Sequence, residues 1–114
     1  MDDNPAQRRR FPRYSARLEV SVYSGTNTLK GHITQVGRGG CLIFPPLHSQ
    51  QSPEVRLSFQ LADGLPPINC IGEIVYSIND KGTGVAFSEI SVYNQDRITE
   101  FFENRTTLRV SPGA

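Results

Sequence analysis

The sequence predicts a small all-β fold, a six-stranded antiparallel barrel with one C-terminal α-helix. Three observations lead there. Apolar and polar residues alternate in successive runs, as in Leu18, Val20 and Val22 or Val55, Leu57, Phe59 and Leu61, which is the period of a half-buried strand. Clusters of Gly, Pro, Asn, Asp and Ser separate these runs at regular spacing, the pattern of a barrel or sandwich. Beyond Ser91 the period changes, and Ile98, Phe101 and Phe102 recur at i, i+3 and i+4, one face of a helix. Closure removes exposed strand edges, and the aromatic face of the helix is expected to cap one open end.

Taken in order, residues 1–7 are polar, contain Pro5 and read as a flexible tail. Residues 8–16 carry the cluster Arg8-Arg9-Arg10-Phe11-Pro12-Arg13. Pro12 lacks a backbone donor and disfavours helix before it, so this stretch reads as a basic arm rather than an element. The barrel and helix are expected over 17–105. Its first strand holds Leu18, Val20 and Val22 and ends at the turn Ser24-Gly25-Thr26-Asn27. Leu29 to Val36 is the second strand, and Gly40 to Phe44 is the third, stopped by Pro45-Pro46. Residues 45–53 form a loop. Val55 to Leu61 has the cleanest period of two, and Asp63-Gly64 with Pro66-Pro67 makes the next turn. Ile68, Cys70, Ile74, Tyr76 and Ile78 share one parity along a long fifth strand, and Gly72 on that face predicts a bulge. Asn79-Asp80-Lys81-Gly82 turns the chain into a last strand, Thr83 to Phe87. Ser91 is placed as the helix N-cap, and Arg105 near the helix end suits its dipole. Residues 106–114, with Pro112 and Gly113, read as a second flexible tail.

The 114 residues fit one domain, long enough to fold without staples. Hydrophobic content is 37% with no Trp, so the core is aliphatic. A net charge of +1 argues against a general nucleic-acid coat protein. Four of the arginines fall within residues 8–13, an asymmetry that points to a local anion site. The two cysteines, Cys41 and Cys70, lie in apolar segments and read as small buried hydrophobes. There is no CxxC pair, so no zinc site is expected, and the sequence leaves a disulfide open. No apolar run reaches membrane-spanning length. Met1-Asp2-Asp3-Asn4 lacks the apolar region of a signal peptide, so a cytoplasmic location is expected.

Nothing in the sequence composes a catalytic centre. His32 lies in a strand pattern and His48 in a proline-rich loop, neither with a nucleophile or acid at a telling spacing. Asp2, Asp3, Glu54, Asp63, Asp80, Glu89, Asp96, Glu100 and Glu103 fall in turns, in the tail or on the helix surface, and none pairs in an apolar setting that would tune a catalytic acid or base. The chain is expected not to be an enzyme and to need no cofactor.

Binding chemistry is concentrated in two places. Gly37-Arg38-Gly39-Gly40 joins two strands, so it does not fit the strand-to-helix dinucleotide fingerprint. It fits a hairpin with a glycine bulge, and it equally fits an anion pocket lined by bare backbone N–H groups. The arginine cluster reads either as a solvated basic tail or as a ligand clamp. In an extended arm Arg9 and Arg13 are about 13 Å apart at Cα, a spacing that lets two guanidinium groups grip opposite ends of one ligand. Arginine forks onto phosphate or the O6/N7 edge of guanine and stacks on a base.

The arm Arg8-Arg9-Arg10-Phe11-Pro12-Arg13 resembles the RRxxxR arm of PilZ domains, bacterial receptors for cyclic di-GMP. Their second signature, D/N-x-S-x-x-G, aligns with Gln35-Val36-Gly37-Arg38-Gly39-Gly40. Gly84-Val85-Ala86-Phe87 and the helix after it are similar to the closing strand and helix of that family. The resemblance covers roughly residues 8–104. It implies the barrel and helix reached above, and it implies cyclic di-GMP as ligand, with Arg8, Arg9, Arg13, Gln35, Gly37, Arg38, Gly39 and Gly40 as its binding residues.

The second signature departs from the family at two positions, with Gln35 for Asp/Asn and Gly37 for Ser. Gln35 keeps an amide one methylene further out. Gly37 lacks a hydroxyl, a loss of about 1 kcal/mol for one uncharged hydrogen bond. Arg38 is a candidate further phosphate ligand that offsets these losses. The first expectation is therefore a cyclic di-GMP receptor whose arm orders on binding and signals to an unidentified protein partner, with no DNA or RNA bound and no membrane span. The alternative is a degenerate PilZ-like interaction module that does not bind the nucleotide. A small RNA-binding barrel is a third reading, disfavoured because adjacent strands lack interleaved exposed aromatics.

Overall fold

The structure, a computed structural model, describes residues 11–47 and 53–110, with side chains as far as Asn104. Six strands follow in chain order: β1 (Arg13–Ser24), β2 (Asn27–Gly37), β3 (Gly40–Phe44), β4 (Glu54–Phe59), β5 (Ile68–Ile78) and β6 (Gly82–Glu89). One helix, α1 (Val92–Val110), comes after them. All strand pairs are antiparallel and close a barrel in the order β1-β2-β3-β6-β5-β4.

Alternation decides which side chains fill the barrel. Val20 and Val22 of β1, Ile33 and Val36 of β2, and Ile43 of β3 are almost fully buried. Val55, Leu57 and Phe59 of β4, with Leu61 just past its end, keep their expected parity and point inward. Cys41 and Cys70 are free and buried among them.

Strand ends shift by one or two residues from the sequence reading, and three larger differences stand out. β1 begins at Arg13, inside the stretch assigned to the arm. Tyr14 and Ala16 are partly buried against the core, and Arg13, Tyr14 and Ser15 pair with Gly37, Val36 and Gln35, so burial and ladder bonds extend the strand up to Pro12. The helix continues to Val110 rather than ending near Arg105. No Gly or Pro interrupts the chain before Pro112, and these are the residues that stop a helix. In β5 the expected bulge is present between Ile71 and Gly72, but a second irregularity lies between Ile74 and Tyr76. The slip reverses the parity beyond it, and Tyr76 and Ile78, expected on the inner face, are exposed.

Helix α1 covers one end of the barrel, as its periodicity predicts. The Ser91 hydroxyl accepts the Asn94 N–H at 3.0 Å, the N-cap geometry that satisfies an orphan donor. Ile98 and Phe102 are buried in the core. The Phe102 ring stacks on Tyr14 of β1, with centroids 5.2 Å apart, and the Tyr14 hydroxyl donates to Glu103 at 2.7 Å. On the far side Arg97 donates to the Pro66 carbonyl at 2.6 Å. Among the described residues no helix is long and apolar enough to cross a membrane.

Candidate functional site

The arm enters the barrel at Arg13, and the first glycine of the turn, Gly37, is its direct cross-strand partner. Two steps further along the same pair of strands, Ser15 faces Gln35, and Gln35 in turn faces Leu42 of β3. Directly opposed residues share one face of an antiparallel ladder. Arg13, Gln35 and Gly37 therefore stand together on the outer face of the barrel, while Val36 points inward.

Close backbone approach explains two of the glycines. A Cβ on Gly37 would sit 2.5 Å from the Pro12 carbonyl oxygen, so this position has no room for a side chain while Pro12 stays where it is. A Cβ on Gly40 would run into the Val85 carbonyl of β6, the strand with which Gly40 pairs. The arm also touches the turn through Phe11, whose ring lies where a Cβ on Gly39 would come within 3.3 Å of it.

Arg13, Gly39 and Gly40 line one shallow recess of about 100 Å³, whose other wall includes Tyr76, Gly84 and Ala86. The Tyr76 ring lies across Gly84, where any Cβ would meet it at 2.5 Å. Tyr76 is a wall residue that periodicity hides, because its parity assigns it to the core. Bare backbone, one exposed guanidinium and an aromatic ring form a surface suited to a flat, anionic ligand.

Arg38 is directed elsewhere. Its guanidinium donates from Nη1 to Asp96 Oδ1 at 2.8 Å and to Thr99 Oγ1 at 3.1 Å, both on α1. Its carbonyl accepts from Gln95 Nε2 at 2.9 Å. The structure thus sets Arg13 beside Gly37 and Gln35 through the β1–β2 register and beside Gly39 and Gly40 in the recess, and it turns Arg38 away from them to the helix. Arg8 and Arg9 lie outside the described residues. The sequence offers no sign of Asp96, Thr99 or Gln95 as partners of the turn, because polar residues at these positions read as the solvated face of a helix.

A model of the PilZ domain matches residues 7–104, most of the chain. The chain belongs to the PilZ domain family. Among solved structures this PilZ domain is similar to the inhibitor of motility MotI/DgrA of Bacillus subtilis, with a TM-score of 0.73 and 21% identity over 89% of this chain. It spans about half of that protein, 52% of its length. It is also similar to the PilZ domain of CeSA from a cellulose-synthesizing bacterium, with a TM-score of 0.61 and 13% identity over 83% of this chain and 98% of that one. No curated protein matches. At these identities the structural likeness speaks for the fold.

Two further features bear on the chemistry of this PilZ domain. Burial pushes the Cys41 thiol far above its ordinary range, with Cys70 adding to the shift and Arg13 opposing it. Burial alone pushes Cys70 up to about 12. Neither is a reactive thiolate at neutral pH. Among the described residues no group of three or more His, Cys, Asp and Glu side chains is arranged to hold a metal ion.

Proposed function

We propose that this PilZ domain is a receptor for cyclic di-GMP that relays its occupancy to a partner protein. In this reading Arg9 and Arg13 clamp a phosphate and a guanine, with Arg8 contributing less, and Gln35 and the backbone of Gly37–Gly40 read the second base edge. Support comes above all from the pairing of Arg13 with Gly37, which sets an exposed guanidinium beside bare backbone on one outer face. Charge-assisted bonds of guanidinium to phosphate are the strong ones, and the exposed backbone of Gly39 offers an anion a cradle without a side chain in the way. Ligand contacts order the arm, which then covers or uncovers a barrel face for the partner. The role is binding and relay in the cytoplasm, without catalysis, cofactor, DNA or RNA.

Isothermal titration tests this reading: cyclic di-GMP binds in the micromolar range, and GTP and cyclic di-AMP bind much more weakly. A protein sample at about 100 μM that takes up no heat sits far above that range and rejects the receptor reading. One observation favours the second reading, an interaction module that does not bind the nucleotide. The family serine is Gly37 here, and Pro12 fills the space its side chain needs.

A further inference from the structure

We propose that Asp96, Thr99 and Gln95 of α1 are positioning residues for the nucleotide, holding the Gly37–Gly40 turn in its binding shape through Arg38. The inference rests on the receptor reading above. Three of the four turn residues are glycine, and glycine loses more conformational freedom on ordering than any other residue. A turn left free to move would take that ordering cost out of ligand affinity. Arg38 is the only turn residue with a side chain to hold, and it is held from two directions. Its Nη1 meets Asp96 at 2.8 Å and Thr99 at 3.1 Å, and its carbonyl receives Gln95 at 2.9 Å. The adjacent carbonyl of Gly39 accepts the Phe87 N–H of β6 at 2.9 Å. The turn is therefore fastened to the helix on one side and to the sheet on the other.

Charge and exposure say what this clasp is for. Arg38 is 24% exposed and Asp96 52%, a setting in which an ion pair adds little to global stability. Its effect is local: it places a flexible backbone. The same bonds direct the guanidinium to the helix, so Arg38 serves the site by holding its backbone and not as a phosphate ligand.

The experiment combines amide hydrogen exchange on the unliganded protein with titrations of cyclic di-GMP into the wild type, Arg38→Ala, Asp96→Ala and the double variant. In Asp96→Ala the Phe87 amide, whose acceptor is in the turn, exchanges about tenfold faster while the melting temperature hardly moves. Each single variant weakens binding about five- to tenfold, the double variant is no weaker than the worse single one, and the salt dependence stays that of the wild type. A lowered melting temperature with unchanged affinity of the folded protein shows a merely structural pair and overturns the proposal. Tighter binding by Asp96→Ala, with a flatter salt dependence in Arg38→Ala, overturns it in favour of a phosphate-binding Arg38. Unchanged exchange at Phe87 overturns the clasp whether or not the nucleotide binds. A wild type that takes up no nucleotide overturns the receptor reading and the binding role with it, and exchange at Phe87 alone then decides whether the clasp orders the turn.

Discussion

Arg13 and Gly37 stand directly opposite one another across β1 and β2, so the last arginine of the arm and the first glycine of the turn share one point on the barrel surface. Arg13 is exposed there and lines the recess beside Gly39 and Gly40. Arg13→Ala is expected to weaken cyclic di-GMP binding by about 1.5–3 kcal/mol, the range of hydrogen bonds to charged groups. Arg8→Ala, outside the Arg9-x-x-x-Arg13 spacing, costs less. Because the Arg13 side chain is exposed, the melting temperature stays close to that of the wild type. Calorimetric titration and thermal denaturation on the same samples check both halves.

The two departures from the family signature behave differently when reversed. Gln35 is half-buried beside Ser15 and Leu42, and Gln35→Asp is expected to tighten binding about threefold to tenfold by supplying a carboxylate for guanine donors, one hydrogen bond's net worth. Gly37→Ser does not follow the motif logic. Its Cβ would sit 2.5 Å from the Pro12 carbonyl, so the arm must move at the residue before Arg13. Overpacking of this kind costs roughly 1–3 kcal/mol, and the variant is expected to lose stability without gaining affinity. Urea denaturation paired with titration separates the two effects.

Tyr14 ties the start of β1 to the helix, and its ionisation reports on that tie. Burial first, then the hydrogen bond to Glu103 and the charge of Glu103, raise its pKa from near 10 to about 12, with Arg38 acting in the opposite sense. A phenol whose pKa is raised by folding stabilises the fold fully below its unfolded value, and that contribution is lost as pH rises through the folded value. The melting temperature should therefore fall between about pH 10 and pH 12 more steeply in the wild type than in Tyr14→Phe, which keeps the stack on Phe102 but has no ionisable hydroxyl.

Ile98 anchors the helix from the other side. It is fully buried in the core that closes the barrel end. Ile98→Ala removes its packing and leaves a cavity, at an expected cost of about 2–5 kcal/mol. Chemical denaturation measures this directly.

The barrel was legible because its core is written in alternation: Val55, Leu57, Phe59 and Leu61 point inward as their period demands. Gly72 also marked its bulge. The second irregularity, between Ile74 and Tyr76, left no mark, because Tyr76 and Ile78 are apolar and continue the inward parity on paper. Pro12 hid the start of β1, since a break signal does not reveal the ladder bonds that begin one residue later. The motifs singled out Arg13, Gln35 and the glycines by local pattern, and the strand register sets Arg13 opposite Gly37 with Gln35 two residues along. The direction of Arg38 depends on Asp96, 58 residues away on a helix surface, and no local spacing encodes that meeting.

The most direct measurement is a titration of isotope-labelled protein with cyclic di-GMP followed by amide NMR. The receptor account predicts saturable shifts at micromolar ligand, centred on Arg13, Gln35, Gly37, Gly39 and Gly40 and reaching Tyr76 across the recess. Amides that stay in place around this turn, or shifts confined to another face of the barrel, would contradict it.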